Sequence, residues 1–114
     1  MPASILVVDD DPSLVEVLEQ VVASQNQTAT SISDVDEAIR IVSQEHAYSV
    51  LVTDHRLGTF SGVELINLAR QHKPDLKCVI MSGFMSDVDP ATLPSDVIRL
   101  EKPFRMQEFI DTVL

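Results

Sequence analysis

The sequence predicts an α/β fold in which a parallel sheet carries helices on both faces. Short apolar runs alternate with segments whose apolar residues have helical spacing, five times along the chain. Such alternation is typical of parallel sheets built from strand–helix–strand units. Charged or hydroxyl residues directly follow several of the apolar runs. Because parallel strands end at one edge of their sheet, we expect these polar residues to lie together there.

The first strand is predicted over Ser4–Asp9. Its Ile-Leu-Val-Val run is too short for a helix and does not alternate, as in strands that are buried on both faces. Asp11 followed by Pro12 is typical of a helix N-cap with proline in the first turn. The predicted apolar face of this first helix consists of Leu14, Val17, Leu18, Val21 and Val22.

Thr28–Ile32 is a short segment that is more polar than the first strand, which predicts a strand at the edge of the sheet. Asp34 then predicts the cap of a second helix. The apolar positions of that helix at i, i+3, i+4 and i+7 are Val35, Ala38, Ile39 and Val42.

The central strand is predicted over Tyr48–Thr53, and it stops abruptly at Asp54. A polar loop follows. Ser61 and Glu64 then form a capping-box pattern, which predicts a helix that continues to about His72.

The last third of the chain predicts two more strands. Leu76–Met81 is a buried run that ends at Ser82 and Gly83. Phe84–Ser95 contains two prolines, so at most a short or irregular fourth helix fits there. The fifth strand is predicted over Val97–Leu100, with Lys102 after it. The last helix presents Met106, Phe109, Ile110 and Val113.

The composition narrows the function classes. With 114 residues, the chain is expected to form one domain over residues 1–114. Its net charge of −10 argues against nucleic-acid binding through this domain. No apolar run approaches the roughly 20 residues that span a bilayer, and no signal peptide is visible, so a cytoplasmic domain without membrane contact is expected. The single cysteine, Cys78, is expected in the core.

The residues at the strand ends form a chemically coherent set. Carboxylates that converge at one edge resist ionisation unless a cation lies among them, and hard oxygen ligands suit Mg²⁺. A carboxylate can also act as a nucleophile and form an aspartyl phosphate. A nearby lysine and hydroxyl can then neutralise and bind the phosphoryl oxygens. The sequence therefore predicts metal-assisted phosphoryl transfer onto one aspartate. The candidate residues are Asp9, Asp10, Asp54, Ser82 and Lys102.

At these residues the chain resembles the receiver domain of the two-component response-regulator family. The resemblance extends over nearly the whole chain, because the order and spacing of all its motifs match. The motifs are the Ile5–Asp11 run with its three acids, Asp54 with Gly62 eight positions later, Met81-Ser82-Gly83, and Lys102-Pro103-Phe104.

The resemblance implies a flavodoxin-like (βα)5 fold whose strands have the order 2-1-3-4-5. It implies phosphorylation of Asp54, contact of Lys102 with the phosphoryl group, and a switch role for the Ser82 hydroxyl. It also implies a cis peptide bond before Pro103. The Mg²⁺ ligands that it implies are Asp9, Asp10, Asp54 and the backbone carbonyl of Arg56.

The function implied by the resemblance is that of a phosphorelay module. A phosphohistidine of a histidine kinase or of a histidine phosphotransfer domain would donate the phosphoryl group. The modified domain would then signal to a downstream effector or an attached output domain. It would catalyse only its own phosphorylation and slow dephosphorylation, so no enzyme with a free substrate is expected. The alternatives are a Mg²⁺-dependent phosphatase with an aspartyl phosphate intermediate and a pseudo-receiver that only binds proteins.

Several positions depart from the family pattern. Gly58 replaces a usual proline, which predicts a more mobile loop after Asp54. Arg99 replaces a usual switch aromatic, and the segment between Ser82 and Lys102 is about two residues short. We therefore expect an unusual output surface that does not form the common receiver dimer.

Two further expectations concern the neighbourhood of the acceptor and the origin of the domain. The turn after Ser82 resembles receivers of hybrid histidine kinases, although a free-standing regulator fits equally. His55 is interpreted as a loop residue whose side chain points away from Asp54, and His46 and His72 as surface residues.

Overall fold

The structure is a computed structural model that describes residues 4–44, 48–84, 86 and 88–114. His46, expected at the surface, lies outside these residues. His72 is exposed, as expected.

Five parallel strands form the central sheet. The strands along the chain, with those of a separate short hairpin included, are β1 Ser4–Val8, β2 Thr28–Ile32, β3 Val50–Asp54, β4 Arg56–Leu57, β5 Phe60–Ser61, β6 Lys77–Ser82 and β7 Ile98–Glu101. In the central sheet they lie in the order β2-β1-β3-β6-β7. This is the predicted order 2-1-3-4-5 once the hairpin strands β4 and β5 are numbered, so the predicted flavodoxin-like fold is confirmed.

In the described part of the chain, four α-helices cover the two faces of the sheet. One face packs against α1 (Pro12–Ser24) and α4 (Met106–Val113), where Leu18 and Phe109 are fully buried. The other face packs against α2 (Val35–Gln44) and α3 (Gly62–His72). The central strands contribute side chains to both cores, which explains why their sequences are apolar runs without alternation.

Side-chain caps start three of the helices, as the sequence predicts. The Asp11 carboxylate accepts a hydrogen bond from the Ser13 N–H at 3.0 Å. Asp34 accepts one from the Asp36 N–H at 3.1 Å, and Ser61 accepts one from the Glu64 N–H at 3.1 Å. Each bond satisfies an N–H group that has no partner within the helix.

The predicted apolar face of α1 is correct except at one position. Four of the five predicted residues are buried or pack against the core, whereas Val17 is 45% exposed. Val15, outside the predicted set, is buried. Val15 and Val17 lie at opposite margins of the apolar stripe, so spacing alone does not show which of them faces the core.

The segment between β6 and β7 is irregular, as predicted. Its described residues include the 3-10 helix Pro90–Thr92 and form no α-helix. Val88, Leu93 and Val97 hold the segment against the core. Beyond it, Arg99 is exposed on β7.

Cys78 is buried in the core, as expected. Among the described residues, no helix combines the length and the apolar character that crossing a membrane requires.

Candidate functional site

The strand register brings the predicted site residues together. Val8 pairs with Thr53, so Asp9 and Asp54 leave β1 and β3 side by side. On the other side of β3, Ser82 pairs with Glu101, and Lys102 follows directly. Lys102 donates its backbone N–H to the Ser82 carbonyl at 2.8 Å, and its peptide bond to Pro103 is cis, as expected.

Three carboxylates and one ammonium group form the centre of the site. Oxygen atoms of Asp9, Asp10 and Asp54 all lie within 4.8 Å of one another. The Lys102 ammonium lies 2.6 Å from Asp9 and 3.1 Å from Asp54. Asp9 is only 1% exposed, Asp54 is half-buried and Asp10 is exposed. Solvent therefore reaches the cluster from the side of Asp10.

Burial and charge shift the pKa values of Asp9 and Lys102. Burial raises the pKa of Asp9, and the negative charge of Asp54 adds to this; hydrogen bonds from Lys102 and from the Asp11 N–H oppose it. Burial alone would lower the pKa of Lys102, but its bonds and charge interactions with Asp9 and Asp54 outweigh that and raise it. Lys102 is therefore held as a cation at neutral pH.

This set of residues fits a divalent cation. With all three carboxylates ionised, their charges and that of the Lys102 ammonium group sum to −2, which a divalent cation would neutralise. Oxygens on an octahedral Mg²⁺ lie roughly 3–4 Å apart, since Mg–O distances are about 2.1 Å. The observed spacing is close to this, so small side-chain movements would bring the three carboxylates onto one ion.

A cavity of about 560 Å³ opens beside the carboxylates. It extends from the end of β3 to the end of β6 and to Lys102. A group bound to Asp54 would therefore lie close to Ser82 and to Lys102. The lining residues relevant here are Asp54, His55, Arg56, Ser82, Phe84 and Lys102. The predicted residues Ser82 and Arg56 therefore lie at the same site as the carboxylates.

The Ser82 hydroxyl is engaged with the backbone of Phe84. Its oxygen accepts a hydrogen bond from the Phe84 N–H at 3.1 Å, and it donates to the Phe84 carbonyl at 3.0 Å. In this arrangement the hydroxyl closes the turn after β6, a role for which serine side chains are well suited.

The connection from β3 to α3 requires two glycines for different reasons. A Cβ at position 62 would overlap the carbonyl oxygen of Asp54, and the Gly62 N–H bonds to the His55 carbonyl at 2.8 Å. Gly58 has a φ of +70° in the two-residue turn between β4 and β5. Such turns favour glycine at their first position. The mobility expected of this loop stays a prediction.

Two features of the site were not expected from the sequence. His55 lines the cavity, and its Nδ1 atom is buried without a hydrogen-bond partner in the described part of the chain. The direction of its side chain relative to Asp54 stays a prediction. The second feature is an apolar groove of about 550 Å³ next to the cavity, formed by Leu14, Phe84, Pro103, Phe104 and Met106. Its sequence signal is the cluster of apolar residues after Lys102.

Comparisons with known proteins agree on one family. The family model of the response regulator receiver domain matches residues 5–114. The chain is 32% identical over 72 residues to the response regulator receiver protein CpdR of Brucella abortus; the match covers 61% of this chain and 60% of that protein. It is 31% identical over 110 residues to the DNA-binding transcriptional regulator NtrC of Salmonella typhimurium, covering 94% of this chain but 23% of that protein.

A solved structure is similar over almost the whole chain. The crystal structure of a response regulator receiver protein from Sinorhizobium medicae has a TM-score of 0.89 and 25% identity, with 98% of this chain and 91% of that chain covered. The chain thus has the length of such a receiver domain, whereas it spans less than two thirds of CpdR and NtrC.

Proposed function

The chain belongs to the response regulator receiver domain family, and on this premise we propose that Asp54 accepts a phosphoryl group in a Mg²⁺-dependent reaction. The observation that carries this proposal is the cluster at the strand ends, in which Asp54 lies beside two further carboxylates and the Lys102 ammonium. The donor is a phosphohistidine of a histidine kinase or a histidine phosphotransfer domain.

The transfer is a displacement at phosphorus. A carboxylate oxygen of Asp54 attacks, the P–N bond to the donor imidazole breaks, and its electron pair stays with the imidazole nitrogen. Lys102 already contacts an oxygen of Asp54 at 3.1 Å, so its charge is positioned to neutralise the phosphoryl oxygens. Since no proton has to leave Asp54, the reaction needs no general base.

The residues proposed to hold Mg²⁺ are Asp9, Asp10, Asp54 and the backbone carbonyl of Arg56. When bound, the ion would neutralise charge on the phosphoryl oxygens. Asp9 is the buried member of the set, and Lys102 fixes its orientation at 2.6 Å. Asp10 is exposed and free to adjust to the ion.

We propose that the modified domain signals to a protein, either an effector or an output domain attached to it, in the cytoplasm. Ser82 lines the cavity beside Asp54, which supports its role as the hydroxyl that binds the phosphoryl group. The domain would act on its own phosphoryl group only. A phosphatase acting on free esters would also have to bind the ester in the cavity beside Asp54, and turnover of an added ester tests that alternative below.

Incubation with acetyl phosphate and Mg²⁺ tests the acceptor. Mass spectrometry of the intact protein should show one added phosphoryl group, which Asp54→Ala removes and chelation of Mg²⁺ prevents. Asp75→Ala is the matched control, because Asp75 is an exposed acid just before β6, at the opposite end of that strand from Ser82. Modification that persists in Asp54→Ala would refute the assignment. Turnover of a generic phosphate ester would favour the phosphatase alternative.

Titration of Mg²⁺ tests the ligand set, with affinity as the readout. Asp10→Asn should weaken binding strongly. Arg56→Ala should leave it nearly unchanged, since the proposed ligand at that position is the backbone carbonyl. Equal losses in the two variants would contradict this ligand set. Absence of Mg²⁺ binding in the unmodified chain would favour the pseudo-receiver alternative.

A further inference from the structure

Phe84 has an unusual position for a large apolar side chain. It is 74% exposed, more than any other large hydrophobic residue that the structure describes. It also lines two adjoining spaces, the cavity beside Asp54 and the apolar groove. The ring thus lies at the boundary between a polar and an apolar space, mostly in water.

The groove itself is suited to an aromatic ring. Apart from Phe84, it is lined by Leu14, Pro103, Phe104 and Met106, with Gly83 and Lys102 also in contact with it. Its volume of about 550 Å³ exceeds that of a phenyl group several times. Moving the exposed ring into this groove would remove apolar surface from water, which is favourable.

The Ser82 hydroxyl restrains Phe84 from such a movement. It bonds to both the N–H and the carbonyl of Phe84 and so fixes the backbone of the turn. Between the two residues, Gly83 has no atom within 4 Å of the position that a side chain would occupy. Open space around the turn leaves room for a different backbone conformation.

A serine hydroxyl carries one proton and can donate one hydrogen bond at a time. If it donates to a phosphoryl oxygen on Asp54, it cannot also donate to the Phe84 carbonyl. We propose that this exchange releases the turn, and that the Phe84 ring then packs into the apolar groove. Phe84 would thus report the state of Asp54. This inference rests on the proposed function, because the phosphoryl group provides the competing acceptor.

The coupling acts in both directions. A ligand shifts an equilibrium only by its differential affinity for the two states. If Phe84 becomes buried when the Ser82 hydroxyl donates to the phosphoryl group, then burial of Phe84 must also favour the phosphorylated state. Removing the ring should therefore weaken the response of the domain to phosphorylation.

The chain contains no tryptophan, so Phe84→Trp introduces a single fluorescent reporter. The probe for the modified state is beryllofluoride with Mg²⁺, a mimic of the aspartyl phosphate. On its addition, the emission of Phe84→Trp should shift to the blue, and acrylamide quenching should fall at least roughly two-fold as the ring leaves water. Gln71→Trp, at an exposed position on α3, is the control and should not respond.

Two further variants separate this mechanism from a general change. Adding Ser82→Ala to Phe84→Trp removes the hydroxyl, so emission should be the same with and without the mimic. Adding Met106→Gln makes the groove polar and should reduce the shift. A full response in the absence of the Ser82 hydroxyl would overturn the proposal.

The failure of this inference can be distinguished from failure of the proposed function. Acetyl phosphate labelling of Phe84→Trp is followed by intact mass in parallel. If the variant is phosphorylated or binds the mimic and its emission stays unchanged, Phe84 is not the reporter and the groove serves another purpose. If no phosphoryl group is added, the proposed function fails, and this proposal fails with it.

Discussion

The two sides of the cavity beside Asp54 are built in different ways. On one side, Asp9 and Asp54 are fixed by neighbouring strands, and Lys102 bonds to both. On the other side, the turn after Ser82 leads into a segment whose described residues form no α-helix. The first side therefore provides fixed geometry for a reaction, and the second side can move without disturbing the sheet.

The two sides also differ in the space around their glycines. The β3–α3 connection has no spare space at Gly62, where an added Cβ would overlap the backbone of Asp54. The β6–β7 connection has open space at Gly83 and an exposed aromatic ring at Phe84. We therefore expect substitutions on the first side to affect stability and those on the second to affect signalling.

Substitutions of Gly62 and Gly83 compare the two sides most directly. Gly62→Ala should lower the free energy of unfolding by about 3 kcal/mol, because Asp54 and α3 must separate to admit the methyl group. Gly83→Ala should change it by less than about 0.5 kcal/mol. Urea denaturation measures both. Equal losses would show that the two connections are equally tight and would break the comparison.

The turn at Gly58 follows Asp54 in the chain, and a substitution there tests whether the turn requires its present backbone conformation. Installing the proline that is usual in the family should cost about 2 kcal/mol, because proline cannot adopt the φ of +70° found there. Thr59→Ala, in the same turn, is the control and should be nearly neutral. A Gly58→Pro variant as stable as the parent would mean that this hairpin turn is readily rearranged.

The charges around Asp9 should make the stability of the protein depend on pH. Since burial raises the pKa of Asp9 above 3.8, its ionisation opposes folding, and stability should fall as pH rises through the window above that value. Asp9→Asn should remove this effect and stabilise the metal-free protein at neutral pH by on the order of 1 kcal/mol.

Added Mg²⁺ should reverse that ranking, because the ion stabilises only the chain that binds it well. Thermal unfolding of the parent and of Asp9→Asn, with and without Mg²⁺, measures this change in their order of stability. A variant that is less stable under both conditions would contradict the interpretation.

The smallest effect is expected for the salt bridge that links the β6–β7 connection to α3. Arg70 forms a salt bridge with Asp96 at 2.7 Å, and its hydrogen bond holds the pKa of Asp96 below 3.8. The pair therefore adds stability above that value and loses it as pH falls further. Asp96→Asn should be slightly less stable than the parent at pH 7 and equal to it in strong acid. Chemical unfolding at several pH values would detect this, and a constant difference would refute it.

Much of the fold could be predicted because local signals and tertiary structure agree. Apolar runs that end abruptly in acids specified β1 and β3, and the parallel arrangement then required Asp9 and Asp54 to meet. Strand ends were less certain. The last strand, expected over Val97–Leu100, is Ile98–Glu101, since backbone pairing rather than side-chain polarity determines where a strand ends.

The features that escaped prediction depend on contacts between distant segments. The groove joins Leu14 to residues after Lys102, and no local pattern connects them. The polar loop predicted after Asp54 contains the short hairpin of β4 and β5. Two-residue strands carry too few residues to show a period. The engagement of Ser82 with Phe84 is local, but a serine at a strand end has several possible partners.

The irregular segment between β6 and β7 has a consequence for how such a domain can diversify. A helix in that place would have to preserve an apolar face over several turns. Here the buried anchors among the described residues are Val88, Leu93 and Val97, and most positions between them are exposed. Sequence drift at those exposed positions would leave the core and the strand ends intact. We expect relatives to vary there and to acquire different partners while keeping the same chemistry.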